Sequence, residues 1–141
     1  MRLGEADARR RLAAYDHGVL ATVHPVRGVD AVPVAYAVDG DLVGIPVDTV
    51  KPKTSGPLQR ERNLAADPRA ALLVDHWDPA DWTRLWWVRA QLRWAGTGPA
   101  AEETALAEAL ERRYPQYHDR PFARVLVFRL RSVTGWSGQV P

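Results

Sequence analysis

The sequence predicts a mainly β domain of the α+β class, a small closed or split β-barrel of six strands with short flanking helices. Three observations lead to this prediction. Apolar and polar residues alternate in several short runs rich in β-branched and aromatic side chains. Asp39-Gly40 separates two such runs, and both residues tolerate the positive φ of a two-residue hairpin. The helix-like segments do not alternate with every strand, which disfavours a parallel α/β sheet.

A chain of 141 residues is expected to form one domain around one core. Strands are predicted at residues 19–24, 31–38, 41–47, 69–77, 82–95 and 124–133. Helices are predicted at residues 5–15, 57–66 and 102–114. Most of the strands follow one another closely enough to pair antiparallel.

The helix boundaries follow from local signals. Pro57 suits a first helical turn, where a missing N–H costs little, and Pro68 forces the chain out of the helix just before it. In the third helix, Leu106, Leu110 and Tyr114 recur every four residues and form one apolar stripe.

The run from 82 to 95 shows the clearest strand alternation. One face carries Trp86, Val88, Ala90, Leu92 and Trp94, and the other carries Trp87, Arg89, Gln91 and Arg93. This pattern predicts that Trp87 faces away from the core, beside Arg89.

Composition excludes several classes of function. The formal net charge is only +2, so bulk nucleic-acid binding is not expected although the pI is near 9.3. No cysteine is present, which excludes disulfides and thiolate chemistry. The sequence shows neither a secretory signal nor an apolar stretch of membrane-spanning length, so a cytoplasmic protein is expected.

Motifs for covalent, nucleotide or metal chemistry are absent. Gly96-Thr97-Gly98 is followed by Pro99 and is not a dinucleotide fingerprint. Gly135-Trp136-Ser137-Gly138 has its second glycine one residue too early for a nucleophile elbow. The four histidines lack metal-ligand spacing, so no metal site is expected. Catalysis, if present, would therefore depend on a bound cofactor.

The only two lysines, Lys51 and Lys53, lie two residues apart in a loop between a predicted strand and a predicted helix. The other seventeen basic residues are arginines, and Arg60 and Arg62 follow on that helix. A strand-to-helix junction with ammonium groups can hold a phosphate or carboxylate. The alternative is a solvated basic loop without a ligand.

A second candidate region is rich in tryptophan, with four indoles among the eleven residues 77–87. An outward-facing Trp87 needs a cover, either another subunit or a flat ring system. Core packing or a dimer interface is one interpretation, and stacking on a planar cofactor is the other. Pro33, inside a predicted strand, indicates an edge or a place where a ligand approaches.

The order of these motifs resembles a known family. The relevant segments are Leu20-Ala21-Thr22-Val23, Val32-Pro33-Val34-Ala35-Tyr36-Ala37, Lys51-Pro52-Lys53, residues 58–64, residues 67–75, residues 81–90 and Thr134-Gly135-Trp136-Ser137. Together they resemble the pyridoxamine-phosphate-oxidase-like split β-barrel family, and within it the actinobacterial subgroup of coenzyme F420 (deazaflavin)-dependent oxidoreductases. The resemblance covers about residues 10 to 138, and its most specific block runs from Lys51 to Ala90.

The resemblance implies a homodimeric split barrel with two cofactor sites at the subunit interface. It assigns the phosphate or acidic tail of the cofactor to Lys51, Lys53 and Arg62, and the backbone side of the cofactor to Val47, Asp48 and Thr49. It places Val32 and Pro33 along the edge of the cofactor ring. It also places Trp77 and His76 of the other subunit close to that ring. The resemblance further places Trp87 and Arg89 at the subunit interface or next to the cofactor ring.

The implied function is transfer of a hydride between reduced deazaflavin and an unsaturated small molecule. The alternatives are an FMN-dependent oxidase or reductase of the same fold and a non-catalytic protein that binds or sequesters the cofactor. The apolar segment Ala31-Val32-Pro33-Val34 argues against FMN, because flavin-binding relatives often grip the phosphate there with polar residues. Trp77 replaces the tyrosine common in the subgroup, so no proton donor is identified, and His76 is the nearest titrating group.

Overall fold

The computed structural model describes residues 1–48, 57–96, 100–119 and 122–139. The helices are α1 (Glu5–Ala14), α2 (Gln59–Ala66) and α3 (Ala100–Arg113). The strands are β1 (Gly18–His24), β2 (Gly28–Val34), β3 (Ala37–Asp39), β4 (Leu42–Asp48), β5 (Arg69–His76), β6 (Trp86–Trp94) and β7 (Phe122–Ser137). Two 3₁₀ turns, Trp82–Arg84 and Pro115–Tyr117, complete the described elements.

All seven strands form one antiparallel sheet in the order β2-β1-β5-β6-β7-β4-β3. Strands β2 and β3 lie at opposite edges, yet only Ala35 and Tyr36 separate them in the chain. Three Cα steps reach at most about 11 Å, so the two edges must come close to each other. The sheet is therefore rolled, and its edges are not paired within the described residues, as in a split barrel.

The predicted strand at 31–38 is divided in two, which makes seven strands instead of six. The cause lies at Tyr36, whose side chain is fully buried and whose hydroxyl donates to the Leu12 carbonyl oxygen at 2.5 Å. The Tyr36 N–H donates to the Tyr114 hydroxyl (3.3 Å), and that hydroxyl donates to the Tyr36 carbonyl (2.8 Å). The backbone of Tyr36 thus pairs with a side chain instead of a neighbouring strand.

Strand β6 begins four residues later than predicted. The Asp81 carboxylate accepts hydrogen bonds from the backbone N–H (3.0 Å) and hydroxyl (2.6 Å) of Thr83, and these bonds stabilise a 3₁₀ turn at Trp82–Arg84. From Trp86 onward the predicted alternation is confirmed, with Val88, Ala90 and Leu92 buried.

A bulge divides the outer surface of the sheet. Gln91 pairs with Ser132 and Leu92 with Leu130, so Arg131 is the extra residue of β7 and the alternation of side chains changes there. Before the bulge, the outward residues Val125 and Val127 are buried beneath α3. Beyond it, Trp136 is exposed. Helix α3 therefore covers only one half of the outer surface.

The main core lies on the inner side of the rolled sheet. Its largest fully buried side chains include Leu12 of α1, Leu64 of α2, Leu20, Leu72 and Phe128. Burial of a leucine of this kind is worth about 1.5–3 kcal/mol. Gly44 on β4 allows α3 to approach closely, since a Cβ there would lie 2.8 Å from the Cβ of Leu106.

A polar network fixes α2 to the first hairpin. Asn63, buried on α2, donates to the Thr22 hydroxyl (3.0 Å) and to the Asp30 carboxylate (2.9 Å). Gln59 Nε2 donates to the side-chain oxygen Oδ1 of Asn63 at 2.9 Å. Arg27 forms two hydrogen bonds to Asp30 (2.9 and 2.7 Å), and these bonds, together with that from Asn63, hold the pKa of Asp30 at about 2.

The described helices include none that is long and apolar enough to cross a membrane.

We predict that Tyr114→Phe destabilises the fold by about 1–3 kcal/mol, because it leaves buried backbone groups of Tyr36 without a partner. Urea denaturation followed by circular dichroism measures the loss. Tyr15→Phe is the matched control, since the Tyr15 hydroxyl has no hydrogen-bond partner within the described chain and should cost much less. Equal effects of the two variants would contradict the role of Tyr114.

We predict acid sensitivity from Asp30. Its pKa in the folded protein is about 2 and lies below the ordinary value near 3.9, so its ionised form stabilises the protein above pH ~4. This contribution is lost as pH falls from about 4 toward 2. The stability difference between wild type and Asp30→Asn, measured by urea denaturation at several pH values, should therefore shrink over that range. A difference independent of pH would refute the assignment.

Candidate functional site

Half of the outer surface of the sheet has no covering element among the described residues. We call it the open face, and it comprises the outward residues of β1, β2, β5, β6 and the end of β7. Its exposed apolar side chains include Val19 (37%), Val29 (66%), Leu73 (41%) and Trp136 (37%). Cross-strand pairing places them together, because Val19 lies opposite Leu73 and Trp87 lies opposite Trp136. Exposed apolar side chains grouped in this way indicate a binding surface.

A cavity of about 310 Å³ lies on the open face where β5 ends and β6 begins. It is lined by Leu73, Asp75, Trp77, Leu85, Trp87 and Arg89. Its volume is at the lower end of the range usual for small-molecule sites.

Two contacts hold the aromatic walls of this cavity. The Arg89 guanidinium carbon lies 5.4 Å from the centroid of the Trp87 ring, a cation–π contact. Trp77 is 55% exposed and contacts Trp82 edge to face, with ring centroids 6.0 Å apart. Trp77 thus keeps indole surface available to a planar ligand, whereas Arg89 covers one side of the Trp87 ring.

Sequence reasoning placed Trp77, Trp87 and Arg89 near the site but missed Asp75, Leu73 and Leu85. The alternation along β5 could have identified Leu73 and Asp75. Side chains of a strand point to its two faces in turn, so burial of Val74 places both neighbours on the outer face. Leu85 carried no such signal, since it follows the 3₁₀ turn that was not predicted.

His76 and Trp77 lie on different sides of the chain. The His76 ring stacks on the Trp86 ring at 6.1 Å between centroids and an interplanar angle of 20°. Trp86 in turn contacts Tyr15 edge to face at 5.1 Å and packs against the core. The structure therefore brings Trp77, and not His76, to the cavity.

The predicted ring-edge and backbone residues are distributed over both sides of the sheet. Pro33 is exposed on the open face, opposite Val19. Val32 and Val47 face inward, where Val32 packs against the core and Val47 is only 4% exposed. A ligand on the open face would reach Val32 through its backbone alone, and Val47 lies on β4, outside the open face.

The lysine pair falls outside the described residues, as does Thr49. Asp48 ends β4, and its side chain is not described either. The neighbouring part of α2 is described, and Arg62 is exposed there. The predicted tail site therefore stays a prediction, to be judged by what surrounds it.

A charged cluster lies at the start of α2. Arg124 of β7 donates to Glu61 through Nε (2.8 Å) and Nη2 (2.5 Å). Burial opposes ionisation of Glu61, but these bonds and the Leu58 N–H (3.0 Å) outweigh it, so the pKa of Glu61 is lowered. Burial lowers the pKa of Arg60, whose Nε has no hydrogen-bond partner among the described residues. Arg60 and Arg124 thus lie close to Glu61, and Arg62 follows it in the chain as an exposed residue.

This basic cluster and the aromatic cavity lie at opposite ends of the sheet. Strands β5 and β7 run in the same direction, because both pair antiparallel with β6. Arg124 is near the start of β7, whereas the cavity is beside the ends of both strands. The eight residues of β5 alone span roughly 25 Å. One ligand with a ring and a phosphate would not contact both regions within one protomer.

No metal-binding group of three or more histidine or acidic residues occurs among the described residues.

Comparison with known proteins finds structural likeness only, since neither a family model nor a curated protein matches the chain. A FAD-binding protein from Mesorhizobium loti superposes with a TM-score of 0.72 and 16% identity, over 96% of this chain and 95% of that one. A heme-binding protein from Mycobacterium smegmatis gives 0.66 and 21%, over 98% of this chain and 60% of that one.

A proposed pyridoxamine 5′-phosphate oxidase from Corynebacterium glutamicum superposes with a TM-score of 0.59 and 15% identity, over 97% of this chain and 98% of that one. Identities this low establish the fold and nothing finer. The chain therefore shares a split-barrel-like α+β fold with flavin-binding and pyridoxamine-phosphate-oxidase-like proteins.

Proposed function

We propose that this protein is an oxidoreductase that uses a flavin-type cofactor, specifically the deazaflavin coenzyme F420, to transfer hydride to an unsaturated small molecule. The observation that carries the proposal is the cavity on the open face, which Trp87 lines and where the exposed Trp77 offers indole surface to a planar ring. Fold likeness to a FAD-binding protein supports it. The bound cofactor would supply the hydride, and the protein would orient its ring and exclude water.

The proposal requires a homodimer. The open face is apolar and uncovered within the described chain, which is the usual property of a subunit contact. A two-fold axis through it would bring the open faces of the two protomers together and cover their exposed apolar side chains.

The choice of deazaflavin over FMN rests on the first hairpin. The exposed positions of β2 are apolar at Ala31 and Pro33. Arg27, the cation of this hairpin, is already held by two hydrogen bonds to Asp30. A flavin phosphate would therefore lack a free cationic partner there, whereas Lys51 and Lys53 remain as anchors for a phosphate and acidic tail.

Absorbance and fluorescence titration of the purified protein with coenzyme F420 and with FMN tests the choice. Binding of F420 tighter than that of FMN is expected. Tight FMN binding without F420 binding would instead favour the FMN-dependent oxidase or reductase. Binding without turnover of quinones, enones or nitroaromatics would favour a sequestering protein.

We predict that Lys53→Ala weakens F420 binding about tenfold, corresponding to about 1.4 kcal/mol, because an ammonium contact to the anionic tail is lost. Far-UV circular dichroism should stay unchanged. Arg10→Ala is the control, since Arg10 is an exposed cation of α1 far along the chain from this loop. Unchanged affinity in Lys53→Ala, or an equal loss in Arg10→Ala, would reject the anchor.

We predict that Trp87→Ala shifts the protein toward monomer on dilution, because a large indole is removed from the contact between protomers. Sedimentation velocity over a concentration series measures the shift. Val26→Ala serves as control, because Val26 is highly exposed but lies in the β1–β2 turn and not on the open face. A dimer of unchanged strength would place Trp87 outside the interface, and a monomeric wild type would refute the homodimer.

A further inference from the structure

We infer that the cavity on the open face binds a planar aromatic monocarboxylate, with Arg89 holding the carboxylate, and that Asp75 excludes a second negative charge. This ligand would occupy the same walls that the proposed function offers to the cofactor ring, so the two would compete for the cavity. Binding of the ligand does not rest on the proposed oxidoreductase.

Arg89 is the cation best placed to hold an anion in this cavity. Its guanidinium lies over the Trp87 ring and makes no hydrogen bond or ion pair with another side chain in the described part of the chain. The contact with the indole uses the face of the guanidinium and leaves its N–H groups for other partners. A guanidinium offers a planar fork of donors that matches the two oxygens of a carboxylate.

The walls of the cavity suit an aromatic body. Leu73 lies directly opposite Arg89 across the β5–β6 pair, and Leu85 and Trp77 complete the apolar surface. Trp77 is more than half exposed, so it has indole surface to gain by covering a ring. Contact between aromatic rings adds to the gain from burying apolar area.

Asp75 limits the negative charge of the ligand that the cavity can bind. It lies directly opposite Trp87, one outward position along β5 from Leu73, and thus diagonally across from Arg89. The two charged groups form no ion pair with each other, and Asp75 has no hydrogen-bond partner among the described residues. A ligand with one carboxylate at Arg89 satisfies the cavity, whereas a second carboxylate would find no further cation among the described residues of its lining and would be repelled by Asp75.

Isothermal titration calorimetry of the full chain without cofactor tests this inference with three probes of similar shape. These are 2-naphthoate, the neutral 2-naphthamide and the dianion naphthalene-2,6-dicarboxylate. We expect wild type to bind 2-naphthoate at least tenfold more tightly than either other probe. Absence of binding, or equal affinity for the acid and the amide, would overturn the inference.

Variants separate the roles of the two charged residues. Arg89→Gln should abolish the preference for 2-naphthoate over 2-naphthamide, and Arg89→Lys should retain only part of it because the planar fork is lost. Asp75→Asn should raise the affinity for the dicarboxylate at least fivefold. Arg93→Gln is the matched control, since Arg93 is an exposed residue of the same strand outside the cavity lining, and it should change affinity less than twofold.

The outcomes distinguish this inference from the proposed function. If Arg89→Gln and Arg93→Gln lose affinity equally, the anion site is wrong whatever the cofactor. If 2-naphthoate binds as expected but neither F420 nor FMN binds, the cavity is confirmed and the oxidoreductase is refuted. Should Arg89→Gln fail to fold, as judged by circular dichroism, Arg89→Lys and the three probes on wild type still decide the matter.

Discussion

The fold depends on the junction at Tyr36, where the chain passes from one edge of the sheet to the other. Its buried hydroxyl binds the Leu12 carbonyl, and its backbone binds the Tyr114 hydroxyl. The single proton of the Tyr114 hydroxyl is shared between the Tyr36 carbonyl and the Asp16 carbonyl, and Arg113 donates to the Ala13 carbonyl at 2.8 Å. These bonds join both edges of the sheet, the end of α1 and the end of α3, and keep the sheet rolled.

Rolling the sheet decides where function can reside. The inner side closes on an apolar core, so ligands are limited to the outer surface. Helix α3 covers the outer surface of β4 and of the first half of β7, and the bulge at Arg131 separates this covered half from the open face. The same backbone irregularity that ends contact with α3 thereby exposes Trp136 beside Trp87.

The open face combines apolar side chains, which favour burial, with charged side chains, which favour contact with water or a polar ligand. Exposed indoles and valines favour burial against another surface, whereas Arg89 and Asp75 keep charge inside the cavity. A homodimer with a cofactor between the protomers would satisfy both, because the apolar rim would be covered and the charged cavity would receive a polar ligand. The basic cluster around Arg60 and Arg124 lies at the other end of the sheet, outside the open face.

The sequence by itself determined the class of the fold, the type and approximate position of the elements, and the outward direction of Trp87 and Arg89. These properties follow from the period of two along strands, from Gly and Pro signals and from i, i+4 spacing, all of which are local. The early end of β2 could not be predicted, since it depends on the hydroxyl of Tyr114, 78 residues away from Tyr36.

Only the tertiary structure decided which outward residues are free. Val127 and Trp87 both alternate away from the core, yet α3 buries the former while the latter lines a cavity. Likewise, His76 and Trp77 are neighbours in the chain but face a core indole and the open face respectively. The physical reason is that covering a strand residue depends on the packing of distant elements and on one bulge, neither of which is encoded in the local alternation.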